Sequence, residues 1–332
     1  MRIYYRALIS TFLILALAHL NAMGPRSKPE SDGTRTETAP ISNKNGSDVS
    51  GTASEKQASQ SAIIRDVGAQ KFLYVGLVEN QWQVFSYDFT TEQSEQLTFS
   101  PGDKRRPQYH AASDSIYFKD SQGWIVRLNS DGTEMRISDK GRIAEFCPIP
   151  NVNALLYTCL IANNPQRQVL WRLDIEDDAE PQLLKRMPVG SLRQIAVKSN
   201  NEYIVSHIAK RREEQLYFLE DSGEGHYVTP KKAVSIYPSW DEANQRVLFA
   251  GELADGSYDL FTLDLVSGES EPFLQTEGAS EFTTSVSPDG TMVLVEQHVH
   301  GVSPRIAIYD FSASVLTPIQ LEHPAKEPFW YP

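Results

Sequence analysis

From position 71 onward the chain alternates apolar and polar residues in short runs, and almost no stretch repeats apolar positions at the helical period. Alternation marks strands with one face turned to a core, so an all-β domain is expected. The best strand candidates are 71–75, 82–87, 115–118, 124–128, 154–159, 169–173, 203–207, 215–219, 246–251, 259–263, 292–297 and 305–309. They come in pairs, and the pairs recur at a regular spacing.

The repeat is clearest around Tyr237-Pro238-Ser239-Trp240 and Ser287-Pro288-Asp289-Gly290. Each opens a unit that reads strand, turn, strand, loop, strand ending in Asp, turn, fourth strand. Aligning the middle of each first strand gives Tyr109, Phe146, Ile195, Trp240, Val286 and Trp330, with separations of 37, 49, 45, 46 and 44 residues. Periods of this length signal an array of four-stranded units. Trp330 has no room for a unit after it, whereas the 71–75, 82–87 and 95–99 strands lack a first strand before them. The C-terminal strand is therefore expected to complete the N-terminal unit, closing a six-bladed β-propeller over 68–332 and removing free sheet edges.

The Ser-Pro-Asp-Gly turn at 287 to 290, the strands ending in Tyr309-Asp310 and Tyr87-Asp88, and the Gln96-Leu97-Thr98 ending of the first unit resemble the TolB-like repeat family, related to the PD40 and WD-type repeats. That resemblance covers about four fifths of the chain. It implies an envelope propeller that works by binding other proteins. The match is to the propeller alone, since the α/β domain that precedes it in TolB has no counterpart in the sequence ahead of position 68. TolB's own partner-binding residues are accordingly not carried over.

Residues 1–22 read as a secretory signal, with Arg2 and Arg6 ahead of an apolar run from Ala7 to Ala18 and small residues favouring cleavage after Ala22. An uncleaved anchor is the other reading of the same segment. Residues 23–67 lack aromatic side chains and are rich in Ser, Thr, Gly and charge, which predicts a disordered tether. Export follows, periplasmic by preference and secreted or N-terminally anchored otherwise. No later segment is long and apolar enough to span a bilayer as a helix.

The chain carries 31 basic and 43 acidic residues, and loss of the signal moves its net charge from -12 to -14. Such a balance opposes nucleic-acid binding. Cys147 and Cys159 lie on strands read as neighbours, so a disulfide and two free thiols are both open.

No nucleophile elbow, phosphate loop or His-Glu-x-x-His pair occurs, and no cofactor is expected. His298 and His300, two apart with Glu296 on the same face, are the best metal candidates, yet a zinc site needs a third ligand such as His207 or His323. Exposed histidines at a strand end explain them as well. The acidic runs at 176–178 and 213–214 read as solvated charge, and the five tryptophans as packing between blades.

One pattern is less easily assigned to surface charge. Basic residues precede several first strands: Arg105 and Arg106 with Lys104, then Arg142, Arg193 and Lys326, with Tyr237 and Phe282 at the equivalent places of the other two. In a propeller these positions converge on one channel mouth. Arginine and aromatic residues are favoured in binding hot spots, and guanidinium grips carboxylates. The expectation is a non-catalytic module binding an acidic segment, or a chain carboxylate, of an envelope partner there. An envelope enzyme acting on polysaccharide as a metal-assisted lyase or hydrolase is the alternative, and a structural subunit of a larger complex is a third.

Overall fold

In the computed structural model the described residues are 71–138, 141–161, 164–175, 179–210, 213–231 and 233–331, so the signal and tether segments lie outside them, as does the acidic run at 176–178. The alternation of the sequence resolves into six four-stranded antiparallel sheets and one 3-10 turn, Ala111–Ser113. Each sheet is a blade whose first strand lies innermost. Those inner strands are Arg105–His110, Ile143–Ile149, Ser191–Ser199, Ser235–Asp241, Ala279–Val286 and Ala325–Tyr331. Neighbouring inner strands contact each other in that order and the last contacts the first, which makes the ring closed.

Closure takes the form expected. Ala325–Tyr331 pairs antiparallel with Lys71–Val78, from Lys71 opposite Tyr331 to Gly76 opposite Ala325, and forms the inner strand of the first blade. Trp330 is 5% exposed and packs on Phe89 with ring centroids 5.6 Å apart, while its amide donates to Ser285 Oγ of the sixth blade at 3.0 Å. The second strands carry the densest apolar runs because both their faces are covered by adjacent blades, as in Phe72, Leu73, Tyr74 and Val75.

Two expectations shift. The fourth strand of the first blade is Gln93–Gln96 and ends before Phe99, which is exposed in the link to the second blade. Cys147 sits opposite Leu156 and Cys159 opposite Ile143, so the cysteines are three pairs apart in register and no disulfide joins them. Three residues of strand span roughly 10 Å, beyond disulfide reach.

The Ser-Pro-Asp-Gly turn does more than reverse the chain. Asp289 accepts from the Thr291 amide and from the Ser287 hydroxyl, and Gly290 adopts φ of 70°. A Cβ on Gly290 would lie 2.5 Å from Asn244 Nδ2 and 2.6 Å from Ala243 Cβ, both in the preceding blade. Gly290→Ala is therefore expected to lower the unfolding free energy by about 2–4 kcal/mol, combining left-handed strain with overpacking. Urea denaturation followed by tryptophan fluorescence reads the shift.

Candidate functional site: the channel mouth

All six inner strands break register near their start, one to four residues after they begin. The bulges fall at Arg106 and Pro107, Ala144, Arg193 and Gln194, Tyr237 and Pro238, Thr283, and Glu327 and Pro328. A bulge re-aims the side chain it carries. In three of them the residue before proline takes a left-handed backbone: Arg106 with φ of 54°, Tyr237 with 51° and Glu327 with 56°. Steric conflict with the proline ring disfavours that conformation, at a cost on the order of 1–3 kcal/mol each. Neighbouring contacts hold these three residues in place.

Glu327 is at the centre of those contacts. Its carboxylate accepts from Arg105 Nε at 2.7 Å and from the Arg106 amide at 2.6 Å, and pairs with Arg105 Nη2 at 2.5 Å. Its own amide donates to Glu296 Oε2 at 2.8 Å, and Glu296 Oε1 meets His298 Nε2 at 2.6 Å. Arg106 Nε pairs with Glu145 Oε2 at 3.1 Å, and its guanidinium lies 4.9 Å from the centroid of the Tyr237 ring. Glu296, Glu327, Arg106, Glu145 and Tyr237 belong to the sixth, first, second, third and fifth blades. The second and fifth blades are diametrically opposed, so the contact from Arg106 to Tyr237 crosses the channel axis.

This belt divides the channel. Beyond it, towards the strand ends, is a cavity of about 340 Å³ with apolar walls from Pro107, Phe146, Pro148, Ile195, Trp240 and Phe329. On the near side is a cavity of about 210 Å³ lined by Arg105, Arg106, Lys119, Ala144, Glu145, Gln168, Arg193, Gln194, Tyr237 and Glu327. Arg106, Glu145, Gln194, Tyr237 and Glu327 line both, and form the floor of the near cavity.

Electrostatics follow from burial and pairing. Burial pushes the Glu327 carboxyl up, but the Arg106 and Arg105 guanidiniums outweigh it and hold the group at about 2. Burial pulls Lys119 below its ordinary value against the attraction of Glu145, while its Nζ donates to Ala144 O at 2.5 Å. Behind Gln194, burial pushes Glu214 up to about 7, opposed by Arg193 and by the hydroxyl of Ser206. Burial also pushes the Cys147 thiol, at the wall of the far cavity, up to about 12.

Of the residues expected at the mouth, Arg105, Arg106, Arg193 and Tyr237 are brought together around the near cavity. Three are not. Arg142 is exposed beside the turn at Gln122 and Gly123 and lines neither cavity. Lys326 turns away, its Nζ 3.7 Å from the centroid of the Trp82 ring, because the strand bulges immediately after it. Phe282 packs between Tyr258, Tyr237 and His298 as part of the wall between blades five and six. Lys104 is buried, its ammonium donating to Ser100 O and Gly102 O.

The sequence reading missed Lys119, Glu145 and Glu327. Lys119 ends the second strand of its blade opposite Arg105, a position that faces the same mouth, and counting charges at second-strand ends would have found it. Metal candidates separate: His298 is bonded to Glu296, His300 is exposed in the following turn, His207 bonds Val189 O and Tyr227 in the fourth blade, and His323 lies against Phe85. Among the described residues no three His, Cys, Asp or Glu side chains are placed to hold a metal ion.

A closed ring of six four-stranded blades with a plugged central channel defines the class, a six-bladed β-propeller. Its solved neighbours include TolB-like propellers. TolB from Acinetobacter baumannii superposes with a TM-score of 0.66 at 16% identity, covering 84% of this chain and 73% of its own. A TolB-type structure from Agrobacterium tumefaciens gives 0.63 at 10% identity, covering 78% of this chain and 92% of its own. Oligogalacturonate lyase from Vibrio parahaemolyticus gives 0.53 at 11% identity over 75% of this chain and 74% of its own. A structure of oligogalacturonate lyase in complex with manganese is also similar, with a TM-score of 0.51. At these identities the likeness is one of fold. No protein-family model and no curated protein matches the sequence.

Proposed function

We propose that this chain is a non-catalytic interaction module of the cell envelope that binds a protein partner through carboxylate groups at the channel mouth. The charge of the near cavity carries the reading: Arg105, Arg106, Lys119 and Arg193 line it against Glu145 and Glu327, an excess of two positive charges in an otherwise acidic protein. The excess lies in a concave site, where low-dielectric walls focus the field. Arg193 has the exposure to meet an incoming group, and Lys119 regains solvation from any anion that approaches it. The signal-like sequence of residues 1–22 and the resemblance of the repeats to TolB-like proteins support an envelope location.

The likeness to oligogalacturonate lyase supports a second reading, in which the same excess charge holds a uronate polymer. The residues present do not fit the manganese that accompanies that enzyme, since among the described residues His298 and His300 find no third His, Cys, Asp or Glu placed to complete a site.

Calorimetric titration with an acidic octapeptide tests the proposal. Binding is expected for the native protein, to weaken with added salt, and to fall at least tenfold in Arg193→Gln and in Lys119→Met, since each removes a charge-assisted contact worth about 1.5–3 kcal/mol. Equal affinity in native protein and both variants overturns the proposal, as does binding of oligogalacturonate in place of the peptide.

A further inference from the structure

Resting on that reading, we infer that the near cavity is a blind socket for the free C-terminus of a partner polypeptide, rather than a groove for an internal acidic segment. The contact of Arg106 with Tyr237 crosses the axis, and Glu145, Gln194 and Glu327 complete the floor. A chain that enters from the mouth cannot continue through the channel at this level. The cavity volume of about 210 Å³ falls below the ~300–1,000 Å³ of pockets for drug-sized ligands, so it takes the end of a chain and not a length of one.

The polar lining makes a second, independent argument. Arg105, Lys119 and Arg193 are donors for a carboxylate. Beside them are two buried acceptors without a hydrogen-bond partner, Glu145 Oε1 and Gln168 Oε1. Buried acceptors left unpaired are costly, and a ligand that supplies N–H groups to them recovers that cost. A polypeptide C-terminus carries both functions within one residue: the carboxylate, and the amide N–H on the same Cα. An aspartate or glutamate side chain brings the carboxylate but holds it one or two carbons farther from its backbone N–H, and that N–H belongs to a chain that must continue in both directions. The mixed lining of cations and orphaned acceptors therefore matches a chain end better than an acidic side chain.

Affinity selection from synthetic peptide mixtures separates the possibilities. Three N-acetylated hexapeptide mixtures are offered to the immobilised native domain: one lacking Asp and Glu with a free C-terminal carboxylate, the same one amidated, and an amidated mixture containing internal Glu. The free-acid mixture is expected to be retained at least tenfold over its amide, with the preference lost in Arg193→Gln. Glu145→Gln, which exchanges an acceptor oxygen for a donor group, is expected to reduce retention of the free acid while the thermal transition by circular dichroism remains cooperative. Retention of the internal-Glu amide equal to that of the free acid overturns this inference and leaves the binding module standing. Retention of none of the three overturns both.

Discussion

A chain ended after Pro324 is expected to lose cooperative folding. The residues removed include the whole inner strand of the first blade, Ala325–Tyr331, and with it the seam of the ring. Phe72, Leu73 and Tyr74, at most 1% exposed in the intact domain, would then border a free strand edge. Trp330→Ala alone is expected to cost about 3–5 kcal/mol, as buried aromatic truncations do. A domain holds about 5–15 kcal/mol in total, so losing the strand's ladder, its Trp330 and the Glu327 contacts together approaches the whole. Urea titration read by circular dichroism should show a broad, non-sigmoidal loss of structure in the truncated chain and a sharp transition at lower urea in Trp330→Ala. A sharp transition at the native midpoint in the truncated chain would contradict the role given to this strand.

Glu327→Ala is expected to destabilise the domain as well, less than Trp330→Ala and for a different reason. The carboxylate is 4% exposed and neutralises Arg105 while fixing the amide of Arg106 in its left-handed conformation. The Arg105 guanidinium left behind is 42% exposed and regains water, so the cost falls below the ~3–5 kcal/mol of a fully buried pair. The pH dependence has a defined sign. Because the folded carboxyl titrates near 2 and the unfolded one near 4.5, its stabilisation is complete above 4.5 and is lost as pH falls from there towards 2. Between pH 7 and pH 3 the native protein should therefore lose more stability than Glu327→Gln, which has no such proton to take up. Parallel slopes for the two proteins over that range would remove Glu327 from its assigned position.

The architecture was legible in the sequence because its signal is redundant. Six first-strand anchors and the missing strand at each terminus converge on one closed ring, so a short fourth strand or a Trp124 placed one residue outside its strand does not disturb the inference. The mouth was legible in part. Arg105, Arg106, Arg193 and Tyr237 were found because first-strand starts converge by topology. Lys326, Arg142 and Phe282 were misplaced because a residue's aim is set by a bulge, and position along a repeat does not reveal on which side of the bulge a side chain emerges. The acidic half was invisible for a related reason. Pre-proline residues are ordinarily extended, so nothing in Glu327-Pro328 announces a left-handed glutamate that turns its carboxylate into the channel. The cationic ring anticipated from sequence is thus a belt of alternating sign whose positive remainder lies on one side.

The pairing of Lys71 with Tyr331 gives the molecule a polarity. Inner strands begin at the mouth and finish at the far face, so Lys71, opposite the last residues of the closing strand, lies on that far face. Whatever polypeptide leads into Lys71 joins the propeller there. The socket thus opens on the face opposite the one where the chain enters, and an attachment made through the N-terminal side leaves it unobstructed.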